Sequence, residues 1–253
     1  MKKVIFLAVI TILILITAMF AHSVEAKANY GIKGIGAHFT YSNQPEGWLP
    51  PLTYDWYFIG DPLSTPTSVL QYLKDNDKKI GVKLYFSNPS WVFGRMNSWL
   101  DQNWKYLTFA TIWEENKTED IAILNEVYNY LKARYPQLKL YQWPGTNKFD
   151  FNRLGELKAD GFVMNPRWWY VGQNFEEYFL YPALATGKPL INMLYIGLGS
   201  ELLSVSPRYK WEYAIGQYQL CVEHRIPVVI YQAFYPSWEE ITQERLEIIV
   251  NGD

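Results

Sequence analysis

The chain has few of the residues that bind transition metals. Among its 253 residues there is one cysteine, Cys221, and there are three histidines. One cysteine cannot form an intramolecular disulfide, and neither a CxxC site nor a histidine-rich zinc site can be assembled. Cys221 lies in a helical pattern and is expected to be a small buried apolar residue. The sequence predicts no metal site, and we expect no cofactor.

Nucleotide-binding motifs and an excess of basic charge are also lacking. No GxGxxG or Walker motif follows a predicted strand, and the glycines within 31–36 fall inside the first strand, where we interpret them as close-packing positions. Removing the first 26 residues takes away two lysines and one glutamate, which leaves 21 basic and 24 acidic residues. A nucleic-acid partner would require a basic face, so none is expected.

The first 26 residues have the pattern of a targeting segment. Two lysines precede the apolar run Val4–Phe20, and Val24 and Ala26 fit the −3 and −1 positions of a cleavage site before Lys27. The run is slightly long for a secretory signal and slightly short for a membrane span. We predict a cleaved signal peptide, with an uncleaved N-terminal membrane anchor as the alternative. In both cases residues 27–253 would form a secreted or extracytoplasmic domain.

Eight short apolar runs recur along the chain, and helical patterns lie between most of them. The runs are Ile32–Thr40, Tyr54–Ile59, Lys79–Phe86, Tyr106–Trp113, Leu138–Trp143, Gly161–Asn165, Pro189–Tyr195 and Pro227–Phe234. Alternating strands and helices predict a parallel sheet with right-handed crossovers. Eight strands in a domain of this length predict an α/β fold of the single (β/α)8 barrel type. An open doubly wound sheet is the alternative, disfavoured by the missing glycine-rich motif.

The helical patterns have recognisable limits, with one exception. They cover Val69–Lys74, Trp91–Asn103, Glu119–Arg134 with Thr118 as its cap, Phe151–Leu157, Phe175–Ala185, Tyr209–Glu223 and Ile241–Val250. The exception is Ser42–Thr53, which contains three prolines and cannot form a normal helix. The first crossover of the barrel is therefore predicted to be irregular.

Polar and aromatic residues cluster where the predicted strands end, which is the face on which barrels carry their sites. Aromatic rings pack on the apolar face of a sugar ring, while amides and charges hydrogen-bond its hydroxyls. These strand ends therefore predict a carbohydrate partner, although the aromatics could instead form lids and loop cores. The candidate substrate-binding residues are His38, Trp91, Gln142, Trp143, Asn165, Arg167, Trp168, Tyr195, Gln232, Tyr235 and Trp238.

Two adjacent carboxylates, Glu114 and Glu115, end the fourth predicted strand. Alternation along the strand puts Phe109, Thr111 and Trp113 on the face of Glu115, and Ala110 and Ile112 on the face of Glu114. We expect the bulky set to face the helices, so that Glu114 points into the barrel mouth. Glu115 stays the alternative, because a bulge at a strand end can reset the alternation.

The chain resembles the TIM-barrel glycoside hydrolase superfamily, without assignment to a single family. The resemblance rests on the eight runs, on Ala-Thr-Ile-Trp-Glu-Glu-Asn at 110–116 and on Tyr-Gln-Ala-Phe-Tyr-Pro-Ser-Trp at 231–238. It implies that Glu114 or Glu115 is the general acid/base. The usual second glutamate at the end of strand seven is absent from Asn192–Gly197, so Asp61 and then Glu201 are the candidates for the second carboxylate.

A substrate N-acetyl group could replace the second carboxylate, as in chitinase-like barrels. Their DxxDxDxE motif would, however, require aspartates where Leu107, Ala110 and Ile112 stand. Two further hypotheses stay open. The chain could be a non-catalytic carbohydrate-binding barrel that has lost one carboxylate, or an enzyme acting on uronic-acid polymers in which Arg167 pairs with the sugar carboxylate.

Overall fold

Eight parallel strands close into a barrel in sequence order, from β1 to β8 and back to β1. This computed structural model describes residues 30–84, 92–145, 149–164, 175–196, 207–234 and 239–251. The predicted (β/α)8 fold is confirmed, and each predicted run overlaps one strand, although β4 and β5 extend past the predicted ends of their runs. The strands are β1 Ile35–Phe39, β2 Trp56–Ile59, β3 Lys79–Leu84, β4 Phe109–Asn116, β5 Lys139–Pro144, β6 Gly161–Met164, β7 Leu190–Leu194 and β8 Val228–Ile230.

Among the described residues, α-helices alternate with the strands, except after β1 and after β5. The α-helices among the described residues are α1 Thr67–Asp75, α2 Asn97–Asn103, α3 Ile121–Arg134, α4 Tyr181–Ala185, α5 Pro207–Glu223 and α6 Glu239–Asn251. The predicted helix at 151–157 is instead a 3-10 helix, Phe151–Glu156. Between β1 and β2 the only helical element is the 3-10 turn Tyr41–Asn43, so the irregular first crossover is confirmed.

The helix after β4 begins differently from its predicted start. Thr118 is the first residue of a 3-10 turn, Thr118–Asp120, and not the cap of the helix. Its hydroxyl oxygen instead accepts the main-chain N–H of Asp150 at 2.7 Å, which ties the β4 loop to the β5 loop. None of the described helices combines the length and the apolar composition needed to cross a membrane. The predicted targeting segment, 1–26, lies outside the described residues.

Two apolar layers form the core. The outer layer lies between the strands and the helices, and includes Ala110 and Ile112 from β4. The inner layer fills the barrel and is largely aromatic, with Trp56, Phe58, Phe109, Tyr141 and Trp143 among its members. The prediction that the bulky face of β4 packs against the helices was therefore wrong for its described side chains: Phe109 belongs to the inner layer, and Thr111 shares its face.

Glycines on neighbouring strands explain why large rings fit inside the barrel. A Cβ atom built on Gly36 would lie 2.3 Å from the indole of Trp56, and one on Gly81 would lie 2.2 Å from the ring of Phe109. The ring of each aromatic residue thus occupies the space that a side chain on the adjacent strand would need. Gly36 thus agrees with the close-packing interpretation. Gly31 and Gly34 do not lie in the first strand as predicted: they precede β1 and adopt left-handed φ values of 85° and 65°.

Candidate functional site

Five side chains share the C-terminal end of the barrel interior, which we call the barrel mouth: His38 from β1, Lys83 from β3, Trp143 from β5, Tyr195 after β7 and Tyr231 after β8. His38, Lys83 and Tyr195 are flanked along the chain by residues of the outer layer, so strand alternation sends them inward. Trp143 belongs to the inner layer, and Tyr231 packs against that layer. His38, Lys83 and Trp143 are buried, with 1%, 4% and 0% of their surface exposed, and the two tyrosines are half-buried. The mouth thus combines aromatic faces with a cation and N–H donors.

An aromatic stack crosses the mouth from β7 to β1. The ring centroids of Tyr195 and Tyr231 are 4.5 Å apart. Tyr231 lies in turn 4.7 Å from the imidazole of His38, with the two planes only 13° apart. Stacking of this kind holds the ring orientations by contact area and quadrupole interactions. The imidazole is therefore fixed in one plane against the end of β8.

The main chain of Gln232 determines which nitrogen of His38 carries the hydrogen. Gln232 adopts a left-handed φ of 53°, and its N–H donates to His38 Nδ1 at 3.2 Å. Burial and then the charge of Lys83 hold the pKa of His38 well below its usual value, so the ring is neutral at physiological pH. A neutral imidazole that accepts at Nδ1 has its hydrogen on Nε2. Nε2 lies beside Gly60, at the end of β2.

Trp143 lies across the mouth from the aromatic stack. The ring of Phe58 separates the two, at 5.8 Å from Trp143 and 5.5 Å from His38. The ammonium of Lys83 is 5.7 Å from the centre of the indole, within the range of a cation–π interaction. Phe58 thus forms an apolar floor of the mouth, and the ring N–H groups of His38 and Trp143 belong to the residues on its two sides.

Two polar hydrogens of the mouth have no partner in the described part of the chain. They belong to Nε2 of His38 and Nε1 of Trp143, both of which are buried. A buried donor without an acceptor costs about 1–3 kcal/mol. Both atoms therefore require an acceptor, from a bound molecule or from water, and both lie at the end of the barrel that carries sites in this fold.

Asp61, the first candidate for the second carboxylate, is engaged by the main chain. Its Oδ1 accepts the N–H of Tyr41 at 2.6 Å, and its Oδ2 accepts the N–H of Ser42 at 2.9 Å. The two oxygens of Asp61 thus connect the turn after β1 to the end of β2. A catalytic role for Asp61 stays a prediction, and this geometry supplies a structural role.

We expect Asp61→Asn to reduce stability more than chemistry. Asparagine keeps one acceptor oxygen for the turn, so we expect it to lose about 1 kcal/mol of unfolding free energy. Its kcat should then stay within about three-fold of wild type, since only loss of a reacting carboxylate removes the chemical step. Urea unfolding and glycan hydrolysis would be measured on the same preparation. A folded variant with kcat reduced a hundred-fold would establish Asp61 as the second carboxylate.

Gln142 lies on the opposite face of β5 from Trp143. Its Oε1 accepts from Nδ2 of Asn116 at 2.9 Å, and its Nε2 donates to the carbonyl of Lys158 at 3.3 Å. The side chain is fully buried in the layer between strands and helices. The structure therefore does not bring Gln142 together with the barrel mouth. Gln232 does reach it, through its main chain and through a 3.4 Å contact of its side chain with the Tyr231 hydroxyl.

Glu114 and Glu115 lie near the C-terminal end of β4, and only their backbone is described. β4 and β5 change register between Ile112 and Asn116, so the strand is irregular where the two glutamates occur. The other predicted site residues lie outside the described residues: Trp91, Asn165, Arg167, Trp168, Glu201, Tyr235 and Trp238.

Sequence reasoning missed Tyr231 as a site residue. The eighth run predicts a strand as far as Phe234, whereas β8 ends at Ile230, so the predicted strand end lies beyond Tyr231. Alternation from Val229 would have found Tyr231, because residues two apart share a face. Lys83 could be recognised in a different way, as a charged residue within an apolar strand. Within the described ranges, no three His, Cys, Asp or Glu residues come together as a metal site.

Solved structures share this fold at low sequence identity. Thermotoga maritima Cel5A, in complex with cellobiose, matches with a TM-score of 0.55 and 10% identity over 84% of this chain and 96% of that one. A fungal endo-β-N-acetylglucosaminidase of glycosyl hydrolase family 18 matches with 0.56 and 12%, over 86% and 98%. A putative aldo-keto reductase from Pseudomonas aeruginosa matches with 0.57 and 9%, over 92% and 99%.

No protein-family model and no curated protein sequence matches the chain. Because a reductase shares the fold as closely as the glycosidases do, the structural likeness shows the architecture and not the reaction. The structural neighbours include TIM-barrel glycoside hydrolases, and the chain is a (β/α)8 barrel of the same architecture, with no single family assigned.

Proposed function

We propose that the protein is a glycoside hydrolase that acts on an oligo- or polysaccharide, with a glutamate at the end of β4 as its general acid/base. The observation that carries the proposal is the barrel mouth itself. Half-buried tyrosine rings offer faces for a sugar, and the buried N–H groups of His38 and Trp143 offer donors for its oxygens. The two glutamates end the strand between those that carry Lys83 and Trp143.

A glycosidase requires a protonated acid near the leaving oxygen and, in most families, a second carboxylate. An apolar wall raises the pKa of a carboxyl group, because burial disfavours its charged form. The indole of Trp143 and the ring of Phe58 supply such a wall next to β4. Because both Asp61 oxygens accept main-chain N–H groups, the second carboxylate would come from Glu201 or be replaced by a group of the substrate, and the Asp61→Asn variant tests the remaining candidate.

The second candidate is a non-catalytic carbohydrate-binding barrel. The observation that favours it is the engagement of both Asp61 oxygens by main-chain N–H groups, which leaves Glu201 as the other named partner. Binding needs only the aromatic rings and the donors of the mouth, and these are present without any second carboxylate.

Hydrolysis of a glycan panel separates the two candidates. We expect new reducing ends from at least one of β-glucan, mannan, xylan, chitin and polygalacturonate. Retention of a glycan on affinity gels without any cleavage would favour the binding barrel.

We also propose that residues 1–26 export the protein or anchor it outside the cytoplasm. An N-terminus at Lys27 in exported protein would establish cleavage, and an intact Met1 in the membrane fraction would establish the anchor.

A further inference from the structure

We propose that Nε2–H of His38 and Nε1–H of Trp143 form a pair of donors that binds sugar oxygen atoms in the barrel mouth and thereby determines which glycan is accepted. The inference rests on the proposed function, since it concerns the same site. It adds the chemistry of recognition: the floor of the mouth offers hydrogens to a ligand, so the ligand must present acceptor oxygens to both sides of Phe58.

The donor at His38 is imposed by its surroundings. The Gln232 N–H occupies Nδ1, Tyr231 stacks on the ring, and Nε2 is directed to the space beside Gly60 and Thr40 at the end of β2. An imidazole held in this way can donate from Nε2 and cannot accept there. Gln232 has a left-handed backbone, and its main-chain N–H holds Nδ1 of the imidazole, so this residue positions His38.

A purely structural role would not require this arrangement. Trp56 provides the comparison, because its Nε1 is equally buried and equally without a described partner. It is the first residue of β2, however, and pairs with the first residue of β3, at the N-terminal end of the barrel and away from the mouth. Loss of the Trp56 donor should affect stability alone, whereas loss of the Trp143 donor should also affect binding.

The sequence makes the test simple, because the chain has only three histidines. Labelling of both histidine and tryptophan with ¹⁵N makes the ring N–H signals of both residue types visible. His38→Gln then identifies the imidazole signal of His38, and Trp143→Phe identifies the indole signal of Trp143. In the free full-length protein we expect the His38 signal of the Nε2–H tautomer. Cellotetraose, chitotetraose and tetragalacturonate then serve as probes that offer hydroxyl, N-acetyl carbonyl and carboxylate oxygens. We expect at least one to shift both the His38 Nε2–H and the Trp143 Nε1–H signals while that of His224 stays in place.

Variants give the matching affinities. Gln places an amide nitrogen near the position of Nε2, so we expect His38→Gln to bind within about three-fold of wild type, and His38→Phe and Trp143→Phe to bind about ten-fold more weakly or worse. Trp56→Phe is the control and should leave the affinity unchanged. If no probe shifts either signal, or if His38→Phe and Trp56→Phe have equal affinities, the proposal is overturned.

The same measurements distinguish a failure of the donor-pair proposal from a failure of the proposed glycoside hydrolase function. Glycans that shift both signals without being cleaved would support the donor pair and remove the hydrolase. Cleavage of a glycan with both signals unmoved would support the hydrolase and remove the donor pair. Thermal unfolding of each variant distinguishes a lost contact from a lost fold.

Discussion

Glu115→Gln is expected to abolish most glycan hydrolysis, with a loss of roughly 10²–10⁴-fold in kcat, the usual contribution of a general acid or base. Glu114→Gln is its matched control, since it makes the same substitution one residue away, and should cost less than about ten-fold in kcat. Glutamine keeps the size and the hydrogen-bonding ability of the side chain but cannot transfer a proton. Initial rates on the best substrate of the glycan panel would provide the measurement.

The preference for Glu115 comes from the faces of the flanking residues. Phe109 lies inside the barrel and Ile112 outside it. Asn116, at the end of β4, reaches Gln142 in the outer layer. The even-numbered positions on both sides of the glutamates therefore face outward, even though the register with β5 shifts between them. Strand alternation then favours the odd-numbered glutamate as the catalytic one, which reverses the preference drawn from the sequence.

A leaving-group series identifies the role of the residue that proves essential. Loss of a general acid matters little for an aryl glycoside whose leaving group needs no proton, whereas loss of a nucleophile slows all substrates alike. We expect Glu115→Gln to recover most of its kcat/KM on a dinitrophenyl glycoside, because kcat/KM reports the step in which the leaving group departs. A large loss in Glu114→Gln alone would show that the bulge has exchanged the two positions. Full activity in both variants would remove this pair from the mechanism.

Gly81→Ala is expected to cause a large loss of stability in the barrel interior. The added Cβ would lie 2.2 Å from Cζ and 2.3 Å from Cε1 of the Phe109 ring, far inside van der Waals contact. Phe109 is enclosed by Trp56, Phe58 and Tyr141, so its ring cannot move away freely. Overpacking of this kind costs about 1–3 kcal/mol, to be measured as the shift of the urea unfolding midpoint.

Two further variants make this stability prediction specific. Gly216→Ala is the control, because Gly216 lies within α5 and a Cβ there would meet no atom within 4 Å; alanine should stabilise the helix by up to about 1 kcal/mol. Phe109→Leu should restore part of the stability lost in Gly81→Ala when the two are combined, since the smaller side chain leaves room for the methyl group. Equal effects of Gly81→Ala and Gly216→Ala would contradict this packing.

The sequence by itself determined the architecture. Each apolar run became a strand because apolar β-rich segments bounded by turns and helical patterns have few other ways to bury their side chains. The prolines at 45, 50 and 51 likewise fixed the irregular crossover, since proline excludes a regular helix interior. These are local constraints, and they act through residues that are close in the chain.

Only the tertiary structure decided which face of each strand became the inside. A strand buried on both sides has no polar face to mark its orientation, so β4 could not be oriented from its own residues. Its inner face was fixed by Gly81 on β3, which leaves space for the ring of Phe109. The same holds for the mouth: His38 meets Tyr231 and Gln232 only because β8 closes against β1, across 194 residues of chain. Closure of the barrel is a long-range event, and it made His38 a donor with a fixed direction.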